Sequence, residues 1–302
     1  MPEKVKVVNE WLCVCSGCEI SLLNIHEKLL NLLDRIEIVH SPVLMDVKEI
    51  PEADIALVSG GVRNWENVEV LKEVREKCRI LIALGSCAAF GGIPGLGNLF
   101  SREELLRKVY IDTKSTDNPN KVLPCKEVPP LTKMVAPIWK VVKTDYVIPG
   151  CPPEADLIWD ALSSLLDGKE PCLSTRTVCD ECPLKKEEKK EIKVVKRWYE
   201  ASEGFDPERC LLEQGFVCMG PATRAGCGAK CPQAHVPCRG CMGPAATQAD
   251  QAASMIGALG FLEVDPELLV KKVADPVGLF YRYTLPSAII PRYVEDRGGE
   301  TR

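Results

Sequence analysis

The stretch VKVVNEWLCVCSGCE, residues 5–19, joins an apolar run to two cysteines and decides the fold. Its first half, Val5–Trp11, is rich in valine and is typical of a buried strand. Apolar residues at helical spacing follow over residues 20–33, so a helix is predicted directly after the strand. Cys15 and Cys18 therefore fall near the carboxyl end of a strand, at the edge where open α/β sheets place their sites.

The same alternation continues along the first half of the chain. Short β-branched runs predict further strands, at residues 36–39, 55–58, 80–84 and 146–148. Helical spacing predicts helices at residues 67–77, 103–110 and 154–166, and Gly168 is suited to end the last of them. The pattern predicts an α/β fold, a flavodoxin-like doubly wound parallel sheet, over residues 1–168.

Twelve of the 16 cysteines stand where metal ligands are expected. Cys87 and Cys151 each follow a predicted strand, so the sheet would bring them beside Cys15 and Cys18 at one edge. The other eight crowd into residues 179–241, as Cys179, Cys182, Cys210, Cys218, Cys227, Cys231, Cys238 and Cys241. Thiols sufficient for three groups of four suggest electron conduction more than the binding of one metal. The remaining cysteines are expected to be small buried hydrophobic residues, namely Cys13, Cys78, Cys125 and Cys172.

Thiolates in groups of four select either zinc or iron–sulfur clusters. The pair Cys15–Cys18 alone does not choose between them, because redox-active pairs share its C-x2-C spacing. Two Cys-Pro steps, at residues 182–183 and 231–232, together with short irregular spacings, resemble ferredoxin-type ligation and favour iron–sulfur. A zinc-stabilised interaction scaffold stays open as the alternative.

Residues 169–302 are predicted to form a smaller, irregular domain around such clusters. Glycine, proline and cysteine dominate residues 204–245, which suits backbone wrapped around metal. Two helices are expected in this domain. One is a solvated helix over the charged run at residues 185–197, and the other covers the Ala/Met/Gly-rich residues 247–262.

Composition excludes several classes of function. The net charge is −5, and no Lys/Arg stripe alternates with aromatic residues, so nucleic acid is not an expected partner. No apolar stretch reaches 18 residues, so no membrane span is expected. The first residues show no export signal, and we therefore expect a cytoplasmic protein whose cysteines are ligands rather than disulfides.

Several motifs together resemble the small subunit of nickel–iron hydrogenases, and they cover nearly the whole chain. The first three are Trp11-x3-Cys15-Ser-Gly-Cys18-Glu19, Gly85-Ser-Cys87-Ala-Ala-Phe-Gly91-Gly92 and Pro149-Gly-Cys151-Pro-Pro. The resemblance continues with Cys218-Met-Gly-Pro, Gly226-Cys227 and Pro237-Cys238-x2-Cys241-x-Gly-Pro244. The family fold is a flavodoxin-like domain followed by a cluster domain with little regular structure.

The resemblance implies three 4Fe-4S clusters, each with its own ligands. The proximal cluster, which faces the nickel–iron centre of a separate large subunit, would be held by Cys15, Cys18, Cys87 and Cys151. The distal cluster would be held by Cys179, Cys182, Cys210 and Cys218, and the medial cluster by Cys227, Cys231, Cys238 and Cys241. Many exported members have a histidine in place of Cys179 and a proline in place of Cys231. Cysteine at both positions implies ligation by cysteine alone.

The function implied is that of an electron-transfer subunit without a catalytic residue of its own. Electrons would pass from the large subunit to a small iron–sulfur acceptor subunit, in the manner of the methyl-viologen-reducing hydrogenases, and on toward heterodisulfide reductase. Deazaflavin-reducing and sulfur- or nicotinamide-linked cytoplasmic hydrogenases are the alternatives within the family. Two further alternatives are less suited to this sequence. A nickel-binding subunit would need two C-x2-C pairs that bracket most of the chain. A quinone-reductase subunit would lack the C-terminal cysteines.

Several further residues have both a structural and a functional interpretation. Glu19 can simply complement a helix dipole in a first turn, or it can take part in proton movement or in the environment of a cluster. His235 lies between two expected ligands and could donate a hydrogen bond to sulfur. The pair Gly91-Gly92 is expected to allow a tight turn beside the first group rather than to bind phosphate. No G-x-G-x-x-G follows the first strand, so flavin or nicotinamide binding is not expected.

Overall fold

The computed structural model describes residues 4–187, 192–290 and 294, with the side chains of residues 201–203 excepted. The strands are β1 Val5–Trp11, β2 Ile36–His40, β3 Ala53–Ser59, β4 Val62–Asn64, β5 Cys78–Leu84, β6 Leu131–Ala136 and β7 Tyr146–Ile148. Five of them form one parallel sheet in the order β2-β1-β3-β5-β7. Counted along the chain, this is the flavodoxin-like order 2-1-3-4-5, so the predicted fold class is confirmed.

The parallel sheet is buried on both faces, as an α/β sheet should be. Strands β3 and β5 supply residues alternately to two hydrophobic clusters, one on each side of the sheet. Leu57 and Ile82 belong to one cluster, and Val58 and Ala83 belong to the other. The antiparallel pair of β4 with β6 was not predicted from the sequence.

The helices of the first half lie between these strands. They are α1 Gly17–Leu23, α2 Lys28–Leu33, α3 Trp65–Lys77, α4 Gly85–Phe90, α5 Arg102–Tyr110 and α6 Ala155–Leu166. The single helix predicted over residues 20–33 is wrong, because a turn with His26 in the left-handed region (φ 56°) separates α1 from α2. Gly168 has φ 71° just beyond α6, which confirms its predicted place after the helix end.

The described residues of the second half form five short helices and a third hydrophobic cluster. The helices are α7 Val178–Glu181, α8 Lys230–Gln233, α9 Gln251–Phe261, α10 Pro266–Lys272 and α11 Pro276–Phe280. Helix α9 confirms the helix expected over residues 247–262. Helices of the 3-10 type cover Ile93–Leu99, Ile138–Lys140, Trp198–Glu203, Gly220–Ala222 and Leu285–Ser287. Because the third cluster draws on residues between Val178 and Tyr281, the C-terminal half has a core of its own.

The solvated helix expected over residues 185–197 is wrong for the residues that can be judged. Residues 188–191 lie outside the described residues, and no helix is present at 185–187 or 192–197. Ile192 and Val195 are buried in the third hydrophobic cluster, so this segment packs inward without forming a helix. The many charged residues of this segment made its buried apolar positions hard to recognise in the sequence.

The two halves of the chain contact each other, and a boundary at residue 168 stays a prediction. The hydroxyl of Ser86 donates to the carbonyl of Cys241, and Lys140 Nζ donates to the carbonyl of Pro286 at 2.6 Å. A search of the described helices for one with the length and apolar content to cross a membrane finds none.

Candidate metal centres

Four expected ligands lie at the carboxyl edge of the parallel sheet. Cys15 and Cys18 lie between β1 and the first turn of α1, Cys87 lies in α4 directly after β5, and Cys151 follows β7. The thiol of Cys18 packs tightly on the turn before Cys87, since a Cβ added at Gly85 would lie 2.3 Å from Cys18 Sγ. The fold therefore brings residues more than 130 positions apart to one place.

The charges of these four thiols act on one another. Burial raises the pKa of Cys18, and the negative charges of Glu19, Cys87, Cys151 and Cys15 raise it further. Burial likewise raises the pKa of Cys87 to about 12, with contributions from Cys151 and Cys15. The four residues predicted for the proximal site are thus mutual neighbours in the structure.

A second group of thiols forms around α7. Burial raises the pKa of Cys179 to about 12, and the charge of Cys218 is the next cause, with smaller contributions from Cys210 and Cys182. Burial also raises the pKa of Cys218 to about 11. A Cβ added at Gly220 would lie 2.9 Å from Cys179 Sγ, so the chain around Cys218 packs directly on Cys179.

The third group contains the remaining four expected ligands. Burial raises the pKa of Cys227 to about 12, helped by the charges of Glu181 and Cys241. Burial raises the pKa of Cys241 to about 11, with contributions from Cys231 and Cys151. Burial holds the pKa of Cys238 well above its ordinary value, and the charges of Cys218 and Cys241 add to this. Cys231 is the exposed member of the group.

Hydrogen bonds connect the third group to each of the other two. The backbone N–H of Cys238 donates to Cys218 Sγ at 3.2 Å. The backbone N–H of Cys151 donates to the sulfur of Cys241, which lowers the pKa of that thiol. The third group therefore lies between the first and the second.

The residues present fit a thiolate-bound metal group. The buried thiols of each group resist ionisation, because burial and mutual repulsion both disfavour thiolates. A positively charged metal group removes that penalty, and thiolates are the ligands that zinc and iron–sulfur clusters prefer. Among the described residues, no three His, Cys, Asp or Glu side chains converge closely enough to hold a single metal ion. A four-iron cluster is wider than one ion and needs its thiolates further apart.

Two polar residues that were not identified from the sequence stabilise the loops that carry the cysteines. Ser86 Oγ accepts the N–H of Gly150 at 3.2 Å and donates to the carbonyl of Cys241, so it joins the first group to the third. Glu181 accepts the N–H of Gly226 at 2.9 Å and that of Ala229 at 3.0 Å, which fixes the loop that carries Cys227. The sequence signal for Glu181 was only its position between Cys179 and Cys182.

The four remaining cysteines differ in their exposure to solvent. Cys78 is buried on β5, and burial raises its pKa to about 11, which confirms the expected buried thiol. Cys13 is half-buried and pairs with Gly61 in an isolated bridge. Cys125 and Cys172 are exposed, so the expectation is wrong for these two. Both lie in segments outside the helices and strands, where no apolar neighbours cover them.

Glu19 and His235 are both in confined positions. Glu19 lies in the first turn of α1, as expected, and one of its oxygens accepts the hydroxyl of Ser59. Its Oε2 is buried without a partner among the described residues. The His235 ring packs against Phe205 at 5.9 Å between centroids, and its buried Nδ1 has no hydrogen-bond partner in the described part of the chain. That nitrogen makes no bond to a ligand sulfur.

Comparisons with known proteins identify the family. The chain matches the family described as NADH ubiquinone oxidoreductase, 20 Kd subunit, over residues 15–165. It resembles a solved chain of an NAD+-reducing NiFe-hydrogenase with 42% identity and a TM-score of 0.54, over 56% of this chain and 95% of that one. It is also 51% identical over 289 residues to a subunit of the F420-non-reducing hydrogenase of Methanocaldococcus jannaschii, covering 95% of this chain and 97% of that protein. The chain belongs to the small subunits of nickel–iron hydrogenases.

A second solved hydrogenase chain shows that the shared fold extends over most of this chain. A solved NiFeSe hydrogenase chain from Desulfovibrio vulgaris Hildenborough has the same fold over 82% of this chain and 96% of its own, with a TM-score of 0.54 at 19% identity. The 51% identity to the M. jannaschii hydrogenase subunit confirms the family resemblance found in the sequence. This small subunit serves iron–sulfur electron transfer within a hydrogenase.

Proposed function

We propose that this small subunit conducts electrons from a nickel–iron centre in a large subunit to an iron–sulfur acceptor subunit, through three 4Fe-4S clusters. The observation that carries the proposal is the linear order of the three thiol groups. Backbone hydrogen bonds join Cys151 to Cys241 and Cys238 to Cys218, so the groups succeed one another as proximal, medial and distal. A linear series of closely spaced sites is what electron conduction requires.

Each group supplies ligands, burial and hydrogen bonds to the metal it would hold. Bound there, 4Fe-4S clusters would supply one-electron redox chemistry. The chain itself performs no bond-breaking step. Ten of the twelve expected ligand residues are buried or partly buried, and the chain would set the potential of each site through N–H···S bonds and nearby charges.

The carboxyl edge of the sheet suits contact with the large subunit. Cys15 is exposed there, and helix α1 presents two large apolar side chains beside it, Ile20 at 57% and Leu23 at 51% exposure. Exposed apolar side chains beside an expected ligand are what a subunit interface would bury. The proximal group would then be nearest to the nickel–iron centre.

Similarity to a relative supports our choice of the acceptor. The M. jannaschii relative is named as F420-non-reducing, which favours the methyl-viologen-reducing type over the deazaflavin-reducing type. We therefore place a small iron–sulfur subunit after the distal group, with heterodisulfide reductase beyond it. A sulfur- or nicotinamide-linked hydrogenase is the second candidate.

The cysteines fit a location in the reducing cytoplasm. All sixteen lie within the described residues and none forms a disulfide.

Metal analysis tests the proposal directly. Anaerobically purified protein is expected to contain about twelve irons and an equal amount of acid-labile sulfide per chain, because three four-iron clusters need that number. Iron, sulfide and zinc would be measured on the same sample, with Mössbauer spectra to assign cluster type. About three zinc ions per chain and little sulfide would favour the zinc scaffold and contradict the proposal.

Cys231 provides a sharper test of the medial site. Changing Cys231→Pro should leave three thiolates and yield a three-iron cluster, so iron should fall by about one per chain. The backbone can accept the change, because residue 231 lies in the first turn of α8, where a helix needs no N–H donor. EPR of the oxidised protein would detect the new cluster.

The control for this variant is Cys172→Ala, which removes an exposed cysteine outside the three groups and should leave both iron and spectra unchanged. A full iron complement in the Cys231→Pro variant would show that Cys231 is not a ligand.

A further inference from the structure

A buried polar pair lies beside the medial group. Thr223 is 1% exposed and Gln251 is 2% exposed. The Gln251 side-chain amide donates to Thr223 Oγ1 at 3.2 Å and to the carbonyl of Gly240 at 2.9 Å. Because Gly240 lies between the ligands Cys238 and Cys241, this amide ties Thr223 to the medial loop.

The hydroxyl of Thr223 has one hydrogen and two neighbouring acceptors. It donates to the carbonyl of Met219 at 2.6 Å, and it lies near enough to the Cys238 sulfur to lower the pKa of that thiol. The Met219 carbonyl already accepts the N–H of Ala222 at 3.1 Å, so it is not left unpaired if the hydroxyl turns away. Since Gln251 occupies a lone pair of Oγ1, the hydroxyl can only donate to one of these two acceptors.

The choice between the acceptors depends on the charge of the sulfur. A thiolate is a charged acceptor and binds a donor more strongly than a carbonyl does. Cys238 would be a thiolate once a metal cluster is bound. The hydroxyl would then turn from Met219 to Cys238, where the N–H of Gly240 already donates to the same sulfur.

We propose that Thr223, held by Gln251, donates a hydrogen bond to the Cys238 thiolate and raises the reduction potential of the medial site. The inference rests on the proposed function, because it takes Cys238 to be a cluster ligand. Reduction adds negative charge to a cluster and its sulfur ligands, and a donor to sulfur stabilises the more negative state. Thr223 and Gln251 are thus positioning residues that act through a ligand.

The test is an EPR-monitored redox titration of the holoprotein with the substitution Thr223→Val. Valine keeps the shape of threonine and lacks the hydroxyl. One of the three midpoint potentials is expected to fall by about 59 mV, a tenfold change for one electron. The site that shifts should be the one whose signal changes in the Cys231→Pro variant. Thr223→Ser keeps the donor and should restore the original potential.

Thr144→Val is the matched control, because it removes a buried hydroxyl in the first half of the chain, away from all three groups. It should leave the three potentials unchanged. If Thr223→Val keeps its full iron content and all three midpoints, the inference is wrong while the proposed function stands. If the unmodified protein lacks the expected iron, the proposed function itself fails. An equal fall in the Thr223→Ser variant would assign the shift to packing and overturn the role of the hydroxyl.

Discussion

Replacing Gly92 with alanine is expected to remove about four irons per chain, the content of one 4Fe-4S cluster. A Cβ at position 92 would lie 2.4 Å from Cys87 Sγ and 2.8 Å from Cys87 Cα, distances that no real contact allows. Gly92 also has φ 58° with ψ −161°, a conformation that is nearly restricted to glycine and costs another residue about 1–3 kcal/mol. The thiol of Cys87 would have to move, so the proximal group would lose a ligand. Iron and sulfide content of the purified protein measure this loss.

The control separates the collision with Cys87 from the effect of a positive φ alone. Gly168 has φ 71°, and a Cβ there would have no neighbour within 4 Å. Gly168→Ala should therefore lower thermal stability slightly and retain all the iron. Equal iron in the Gly92→Ala and Gly168→Ala proteins would mean that Cys87 is not a ligand, or that its loop adapts without loss.

Gly92 also illustrates what could be predicted from the sequence. The tight turn predicted at Gly91-Gly92 is confirmed, because both residues have positive φ. The five strands of the main sheet were predicted within two residues at each end, because buried parallel strands carry an unbroken β-branched run. Cysteines placed directly after such runs must meet at the carboxyl edge. Local pattern and topology were sufficient there.

The C-terminal half could not be predicted in the same way. Its helices are short, and its segments pack through single residues such as Ile192 and Val195, which have no periodic pattern around them. The division of its eight cysteines into two groups depends on contacts between distant loops, and here the family resemblance supplied what periodicity could not. Thr223 and Gln251 have no motif at all. Their proposed role rests on the hydrogen bond between them and on the nearness of the Thr223 hydroxyl to the Cys238 sulfur.

The pair of β4 with β6 was missed for a related reason. Its strands have three and six residues and are separated by 66 positions in the chain, so neither carries a recognisable run of its own. Asn98 stabilises the pair from outside, because its side chain donates to the carbonyl of Val135 at 3.0 Å and accepts the N–H of that residue at 2.7 Å. Long-range hydrogen bonds of this kind leave no local signature.

Changing Cys179→Ser is expected to stop electron delivery to the acceptor subunit while hydrogen chemistry at the nickel–iron centre continues. Serine is a harder and poorer ligand than cysteine, so the distal site would lose its metal or hold it weakly. Folding should be retained, because serine is close to cysteine in size and α7 keeps its capping box between Thr177 and Asp180. The assembled hydrogenase with its acceptor subunit is the protein to measure. Hydrogen-dependent reduction of the acceptor should fall by orders of magnitude.

Isotope exchange between hydrogen gas and deuterium at the nickel–iron centre is the discriminating measurement. This exchange needs no transfer of electrons to the other clusters. It should survive in the Cys179→Ser complex and in Cys172→Ser, a control that changes an exposed cysteine outside the three groups. Cys18→Ser, in contrast, should disturb isotope exchange or subunit association, because Cys18 lies at the edge proposed to face the large subunit. If Cys179→Ser abolished exchange while the subunits stayed associated, the second group would lie next to the nickel centre. The proposed order of the three groups would then have to be reversed.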